Sequence, residues 1–204
     1  PSGYPLTTRK WSRGTKLEDA TEIFRGEPTD VSAGGSFYYD KDEKYAMFYR
    51  MATFNDIEYY YWFEGDKDLT KVKWIAPSCR IQTFKKKVLI MPKQGWSFGG
   101  KVYKAGSLLS CDFETFVKEG HLDAVFFGAG ARNVGEEHVA DITNKLVDLL
   151  TKGDPTKELS RPKCDIQILY EPANDRCAYE GATDSRDYLY VNSLENLQSK
   201  ITVY

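Results

Sequence analysis

Apolar and polar residues alternate in short runs along most of the chain. From Tyr45 to Thr53, Ala46, Phe48 and Arg50 fall on one side, and Met47, Tyr49 and Met51 on the other. From Ile57 to Phe63, Ile57, Tyr59, Tyr61 and Phe63 share a side, while Glu58, Tyr60, Trp62 and Glu64 take the opposite one. Such a period of two marks β-strands, because successive side chains of an extended backbone point to opposite faces. Related runs predict strands at Glu22–Arg25, Ser36–Tyr39, Leu69–Trp74, Ser78–Phe84, Val102–Tyr103 and Ser107–Cys111. Further runs do so at Ala124–Phe127, Asp165–Tyr170, Cys177–Gly181, Tyr188–Asn192 and Lys200–Val203. Val88-Leu89-Ile90-Met91 is apolar throughout, which predicts a strand covered on both faces. Turn chemistry separates the runs, as at Gly26-Glu27-Pro28, Asp40-Lys41-Asp42-Glu43 and Gly65-Asp66-Lys67-Asp68.

Two segments break this rhythm. Asp112 is placed to cap a short helix over Phe113–Glu119, with Glu114 and Lys118 as an i,i+4 pair and Gly120 as its stop. A longer helix is predicted over Glu136–Lys152. Asn133 and Glu136 have capping-box spacing there, Val139, Ile142, Leu146, Leu149 and Leu150 form one apolar face, and Gly153 and Pro155 end it. Residues 128–163 therefore read as a helical insertion in a sheet protein. The stretches 32–76 and 77–127 each hold about four strands, a period of about 40–50 residues that fits a four-stranded propeller blade. The expected fold is mainly β: a partial β-propeller of about four four-stranded blades over 1–204, with one inserted helix near 136–152.

Composition sharpens this picture. The 204 residues are 14% aromatic, with 14 Tyr and 11 Phe. These residue types favour strands and bury large areas. A net charge of −2 argues against nucleic acid or an anionic membrane as partner. No apolar run reaches the roughly 18 residues a membrane helix needs, and Pro1–Pro5 lacks the features of a signal peptide. Cys79, Cys111, Cys164 and Cys177 are too sparse for a disulfide scaffold and too widely spaced for a zinc knuckle. They read as buried reduced thiols of a cytoplasmic protein. The chain starts without Met and stops on an alternating strand pattern at Lys200–Tyr204. Both ends read as cut from something longer.

Catalytic chemistry is hard to find. No G-x-S-x-G elbow occurs, and Ser36 and Ser107, which follow glycines, lack the second one. His121 and His138 read as ordinary surface residues. The Asp40–Glu43 and Asp66–Asp68 turns lack the glycine and terminal glutamate of a calcium loop. Gly128-Ala129-Gly130-Ala131-Arg132 lacks the third glycine of a dinucleotide loop. Lys85-Lys86-Lys87 reads as a basic hairpin tip, and Tyr59–Phe63 as packed sheet faces rather than a stacking platform. The expected catalytic, cofactor-binding and metal-binding residues are accordingly none.

Several stretches nevertheless form a recognisable set: Ser2-Gly3-Tyr4-Pro5, Lys10–Ala20, Ile23–Ser32, and above all Trp96–Leu109 running on to Asp112-Phe113. With Leu169–Pro172 and Tyr188–Ile201, they resemble the propeller domain of prolyl oligopeptidase-family serine peptidases. The likeness covers most of the chain outside 128–163. It implies a parent enzyme that pairs a seven-bladed propeller with an α/β-hydrolase domain carrying Ser, Asp and His. The propeller covers the active site and admits short peptides, which are cleaved after proline. No triad motif is present here, so the implied role is noncatalytic gating. The partners are then the hydrolase domain of the same parent chain and the peptide substrates of the intact enzyme. An incomplete ring also predicts self-association through uncovered sheet faces. The alternative is a stand-alone β-rich module that binds peptide or carbohydrate.

Overall fold

The computed structural model describes residues 3–40, 43–72, 75–76, 78–98, 101–119, 125–126 and 164–204. A hairpin of β1 (Thr7–Lys10) and β2 (Thr21–Arg25) comes first. The first large sheet joins β3 (Ser32–Asp40), β4 (Glu43–Met51), β5 (Ile57–Phe63) and β6 (Thr70–Lys71) in chain order. The second joins β7 (Arg80–Phe84), β8 (Lys87–Met91), β11 (Leu108–Asp112) and β13 (Gln167–Tyr170). Between its strands, β9 (Trp96–Phe98), β10 (Lys101–Tyr103) and β12 (Val125–Phe126) build a small separate sheet, and α1 (Phe113–Glu119) follows β11. The third large sheet is the meander β14 (Cys177–Asp184), β15 (Leu189–Glu195) and β16 (Gln198–Val203). All pairings among these strands are antiparallel.

The alternation in β4 and β5 is the reason the sheets stack. Tyr45, Tyr59 and Tyr61, with Met47 and Tyr49 beside them, share one apolar layer with Val88, Ile90, Leu109 and Cys111 of the second sheet and with Phe113 and Phe116 of α1. Ala46, Phe48, Tyr60 and Trp62 face the other way and pack with Phe24 of the first hairpin. There the Phe24 ring lies 5.1 Å from Phe48 and 5.2 Å from Tyr60. Leu89 and Leu108 form the second sheet's far face and join Leu189 and Val191 of the third. Hairpin and sheets thus follow one another through shared apolar layers. Burying each large side chain contributes about 1.5–3 kcal/mol, and a sheet covered on both faces collects that from every position. Of the two-sided burial predicted for Val88–Met91, Val88, Leu89 and Ile90 show it at 1% exposure or less, while Met91 at the strand end is half-buried.

Several boundaries differ from the sequence expectation. β3 begins at Ser32 rather than Ser36, because Ala33, Gly34 and Gly35 also pair with β4. Those glycines make room: a Cβ on Gly35 would lie 2.2 Å from the Phe48 ring, and one on Gly34 2.9 Å from the Tyr49 hydroxyl. In a strand, glycine marks such close approach. The expected unit at 77–127 does not close on itself. Its fourth strand is β13, from beyond residue 163, while the strand expected at Ala124–Phe127 is the two-residue β12 paired to β9. The last sheet has three strands among the described residues. The short helix forms as predicted, with the Thr115 N–H donating to Asp112 Oδ1 at 2.9 Å. The helix near 136–152, and with it the insertion 128–163, lies outside the described residues.

Candidate functional site

The residues weighed as chemistry in the sequence sit apart from one another. Ser36 is exposed on β3, whereas Ser107 is fully buried before β11 with its hydroxyl unpartnered. Among the described residues, neither serine is hydrogen-bonded to a base. His121, His138 and Gly128–Arg132 lie outside the described residues. Among those described, no three His, Cys, Asp or Glu stand together as metal ligands. At the basic tip Lys85, at φ 52°, lies 3.7 Å from the exposed Asp187, and Lys87 stands opposite Asp112 in the ladder. Burial raises the Asp112 carboxyl, but the Thr115 N–H and hydroxyl and the nearby Lys87 and Lys86 outweigh it, so its pKa is lowered.

The aromatic run of β5 is structural. The Tyr59 hydroxyl accepts from the Ile81 N–H at 3.3 Å, and the Tyr61 hydroxyl donates to the Val117 carbonyl at 3.3 Å. Trp62 Nε1 donates to the Asp66 carbonyl at 2.8 Å. The two tyrosine bonds tie the first sheet to β7 and to α1, the tryptophan bond spans the turn after β5, and all three satisfy the polar tips of their rings. Burial pushes all three tyrosine hydroxyls of the run, Tyr59, Tyr60 and Tyr61, above their ordinary pKa.

One buried charge pair was not read from the sequence. Asp30, with a side chain 2% exposed, accepts from Arg50 Nε at 2.8 Å and Nη2 at 3.0 Å, and from the Glu27 N–H at 2.7 Å. The Arg50 guanidinium holds the Asp30 carboxyl below its ordinary value, and Asp30 raises Arg50 in return. Arg50 also stands 3.6 Å from Glu58, which Lys71 holds at 2.5 Å and the Tyr60 hydroxyl at 2.9 Å. This clamp fastens the loop between the first hairpin and β3 to the end of β4. The only sequence signal was a charge on an otherwise apolar strand face, Arg50 beside Ala46 and Phe48.

What remains open for recognition is an edge. In each of the three large sheets the first strand, β3, β7 or β14, is an edge strand. An edge presents backbone N–H and C=O groups without a ladder partner. Ser36–Tyr39 on β3 is exposed, with Tyr39 at 73%. Phe37 leans on Phe48 and Trp62, each at 6.1 Å, and Tyr38 stacks on Tyr45 at 5.0 Å. Such a surface offers hydrogen bonds to an extended peptide and rings to its side chains.

Successive meander sheets, each sharing apolar layers with its neighbours and each beginning at an edge, define a propeller-like β segment. No family model matches the chain. The uncharacterized peptidase y4nA of Sinorhizobium fredii is 33% identical over 118 residues, which are 55% of this chain and 16% of that protein. A post-proline cleaving enzyme from Rickettsia typhi has a similar structure, with a TM-score of 0.68 at 16% identity over 99% of this chain and 24% of its own. A prolyl endopeptidase structure matches at a TM-score of 0.51 and 12% identity, over 97% of this chain and 21% of its own. The resemblance to prolyl oligopeptidase-family peptidases therefore stands, and the chain spans a quarter or less of the length of each of these proteins.

Proposed function

We propose that this chain is the propeller segment of a prolyl-oligopeptidase-like serine peptidase, and that it screens a hydrolase domain so that short peptides enter and folded proteins do not. The observation that carries this reading is the stack of meander sheets, alike over 99% of the chain to about a quarter of a post-proline cleaving enzyme. In this reading the sheets β3–β6 and β7–β13 are two blades, and β1–β2 and β14–β16 contribute to two more. The edge strands β3, β7 and β14 border the passage, where Tyr38 and Tyr39 meet the entering peptide. A ring of small sheets suits the task, since each blade is held by its neighbours and the edges are left toward the axis.

The test begins with the reading frame around this chain and the intact parent. Expected is a downstream α/β-hydrolase domain with its Ser, Asp and His. The parent should cleave a short proline-containing fluorogenic peptide and spare a folded protein bearing the same sequence in a surface loop, while this chain alone is inert. Cleavage by this chain alone would overturn the reading. The exposed rings on β3 also favour a second reading, a stand-alone peptide-binding module. A stop codon soon after Tyr204, with micromolar binding of an extended peptide, would establish that one instead.

A further inference from the structure

The ladder of the first sheet separates backbone groups that are paired from those that are not. The Glu64 N–H donates to the Lys44 carbonyl at 3.0 Å, so Lys44 turns its backbone groups toward β5. These groups alternate in direction along an antiparallel strand. Ala46, Phe48 and Arg50 therefore face β5 as well, and Tyr45, Met47, Tyr49 and Met51 face β3. Their partners across that ladder are Tyr38, Ser36, Gly34 and Ser32. The residues in between, Ala33, Gly35, Phe37 and Tyr39, point their N–H and C=O groups out of the sheet. Ala33 shows this directly, its N–H donating to the Pro5 carbonyl at 2.8 Å. Pro5 has no N–H to return, so an extended segment fills the first position of this edge with a single bond. Among the described residues, the outward groups of Gly35, Phe37 and Tyr39 have no backbone partner.

Sheets blunt such edges with a charge, a bulge or a cover. β14 carries Glu180 and a register shift between Tyr179 and Gly181. β7 begins at Arg80, and the Tyr59 hydroxyl takes its Ile81 N–H. β3 has no charged residue from Ser32 to Tyr39 and no register shift against β4. Rings flank its open groups, Phe37 and Tyr39 on one face and Tyr38 on the other, with Tyr39 73% exposed.

We propose that an extended peptide adds to β3 as a further strand, bonding the backbone of Gly35, Phe37 and Tyr39 and laying its side chains alternately beside Phe37 and Tyr39 and beside Tyr38. This rests on the reading of the chain as a screen for short peptides, and it states how such a peptide is held. The outward groups recur every second residue, about 7 Å apart, so every second residue of the peptide must offer an N–H. Proline has none. A single proline is accommodated by the register that turns its nitrogen away from β3. Two adjacent prolines obstruct both registers. The ligand class is therefore extended peptides whose prolines are isolated.

The test follows amide hydrogen exchange of this chain, residue by residue, with two blocked hexapeptides at millimolar concentration: acetyl-Thr-Val-Pro-Val-Thr-Val-amide and acetyl-Thr-Val-Pro-Pro-Thr-Val-amide. Without peptide, Gly35, Phe37 and Tyr39 should exchange faster than Ser36 and Tyr38 between them. The first peptide should slow those three amides, and the second should bind about tenfold more weakly, the cost of one backbone bond left unmade. Tyr39→Pro removes an outward N–H and no bond to β4, so it should weaken binding of the first peptide more than Tyr39→Ala, which keeps that N–H. Unchanged exchange at the three residues, equal binding of the two peptides, or equal losses in the two variants would overturn the proposal. So would protection of the three that grows with chain concentration in the absence of peptide, which would assign the edge to a second copy. Exchange in the unmutated chain decides this even where Tyr39→Pro does not fold. The screening role fails separately, on the cleavage assay of the parent: a parent that spares folded proteins while these amides stay fast would end the pairing and leave the screen.

Discussion

Replacing Arg50 with methionine keeps much of the aliphatic stem and removes the cation from Asp30. The Asp30 carboxylate would lose the bonds from Nε at 2.8 Å and Nη2 at 3.0 Å and retain only the Glu27 N–H. Breaking a buried ion pair by removing one partner costs about 3–5 kcal/mol. Arg50 is 23% exposed, so water reaches the vacated end and the lower figure, about 3 kcal/mol, applies. Losing the Glu58 contact adds little, because Lys71 already holds that carboxylate. The pH dependence follows from the sign of the shift. In the unmutated chain the folded pKa of Asp30 is lowered, while the unfolded value is about 3.9. The pair's contribution is therefore fully present above the unfolded value and is lost as pH falls through the folded one. In Arg50→Met, burial without the cation raises the folded pKa, so that penalty is greatest at neutral pH and is relieved on acidification. Urea titrations followed by tryptophan fluorescence should show a gap of about 3 kcal/mol at pH 7 that narrows toward pH 4. A gap below about 1 kcal/mol at pH 7, the level of an exposed pair, or one equal at both pH values would refute the account.

Gly35→Ala should cost about 1–3 kcal/mol, since the new methyl meets the Phe48 ring at 2.2 Å; an unmoved urea midpoint would contradict the packing of β3 on β4. Asp112→Ala removes the cap of α1 and should lower stability by about 1 kcal/mol in the same assay, with a small loss of helical circular dichroism. The outer side of the third sheet carries Ile201 at 67% and Val203 at 52% exposure. We expect the isolated chain to self-associate through it, with light scattering showing a mass that rises with concentration and Ile201→Lys suppressing the rise.

Local pattern carried a good deal of this molecule. The faces of β4 and β5 were legible from residues 45–63, because side-chain direction in an extended strand depends on nothing beyond the backbone itself. The double burial of Val88–Ile90 and the Asp112 cap were legible for the same reason: run length and cap spacing are properties of neighbouring residues. Partner choice was not. That β11 takes its next strand from beyond residue 163, leaving β12 to a small side sheet, depends on contacts between segments far apart in the chain. The strand was expected to start at Ser36; that Gly34 and Gly35 belong to it depends on the Tyr49 and Phe48 residues paired with them across the ladder, which the local pattern does not contain. Asp30 and Arg50 are ordinary residues along the sequence. Folding brings them together away from water, where a charge needs its counter-charge.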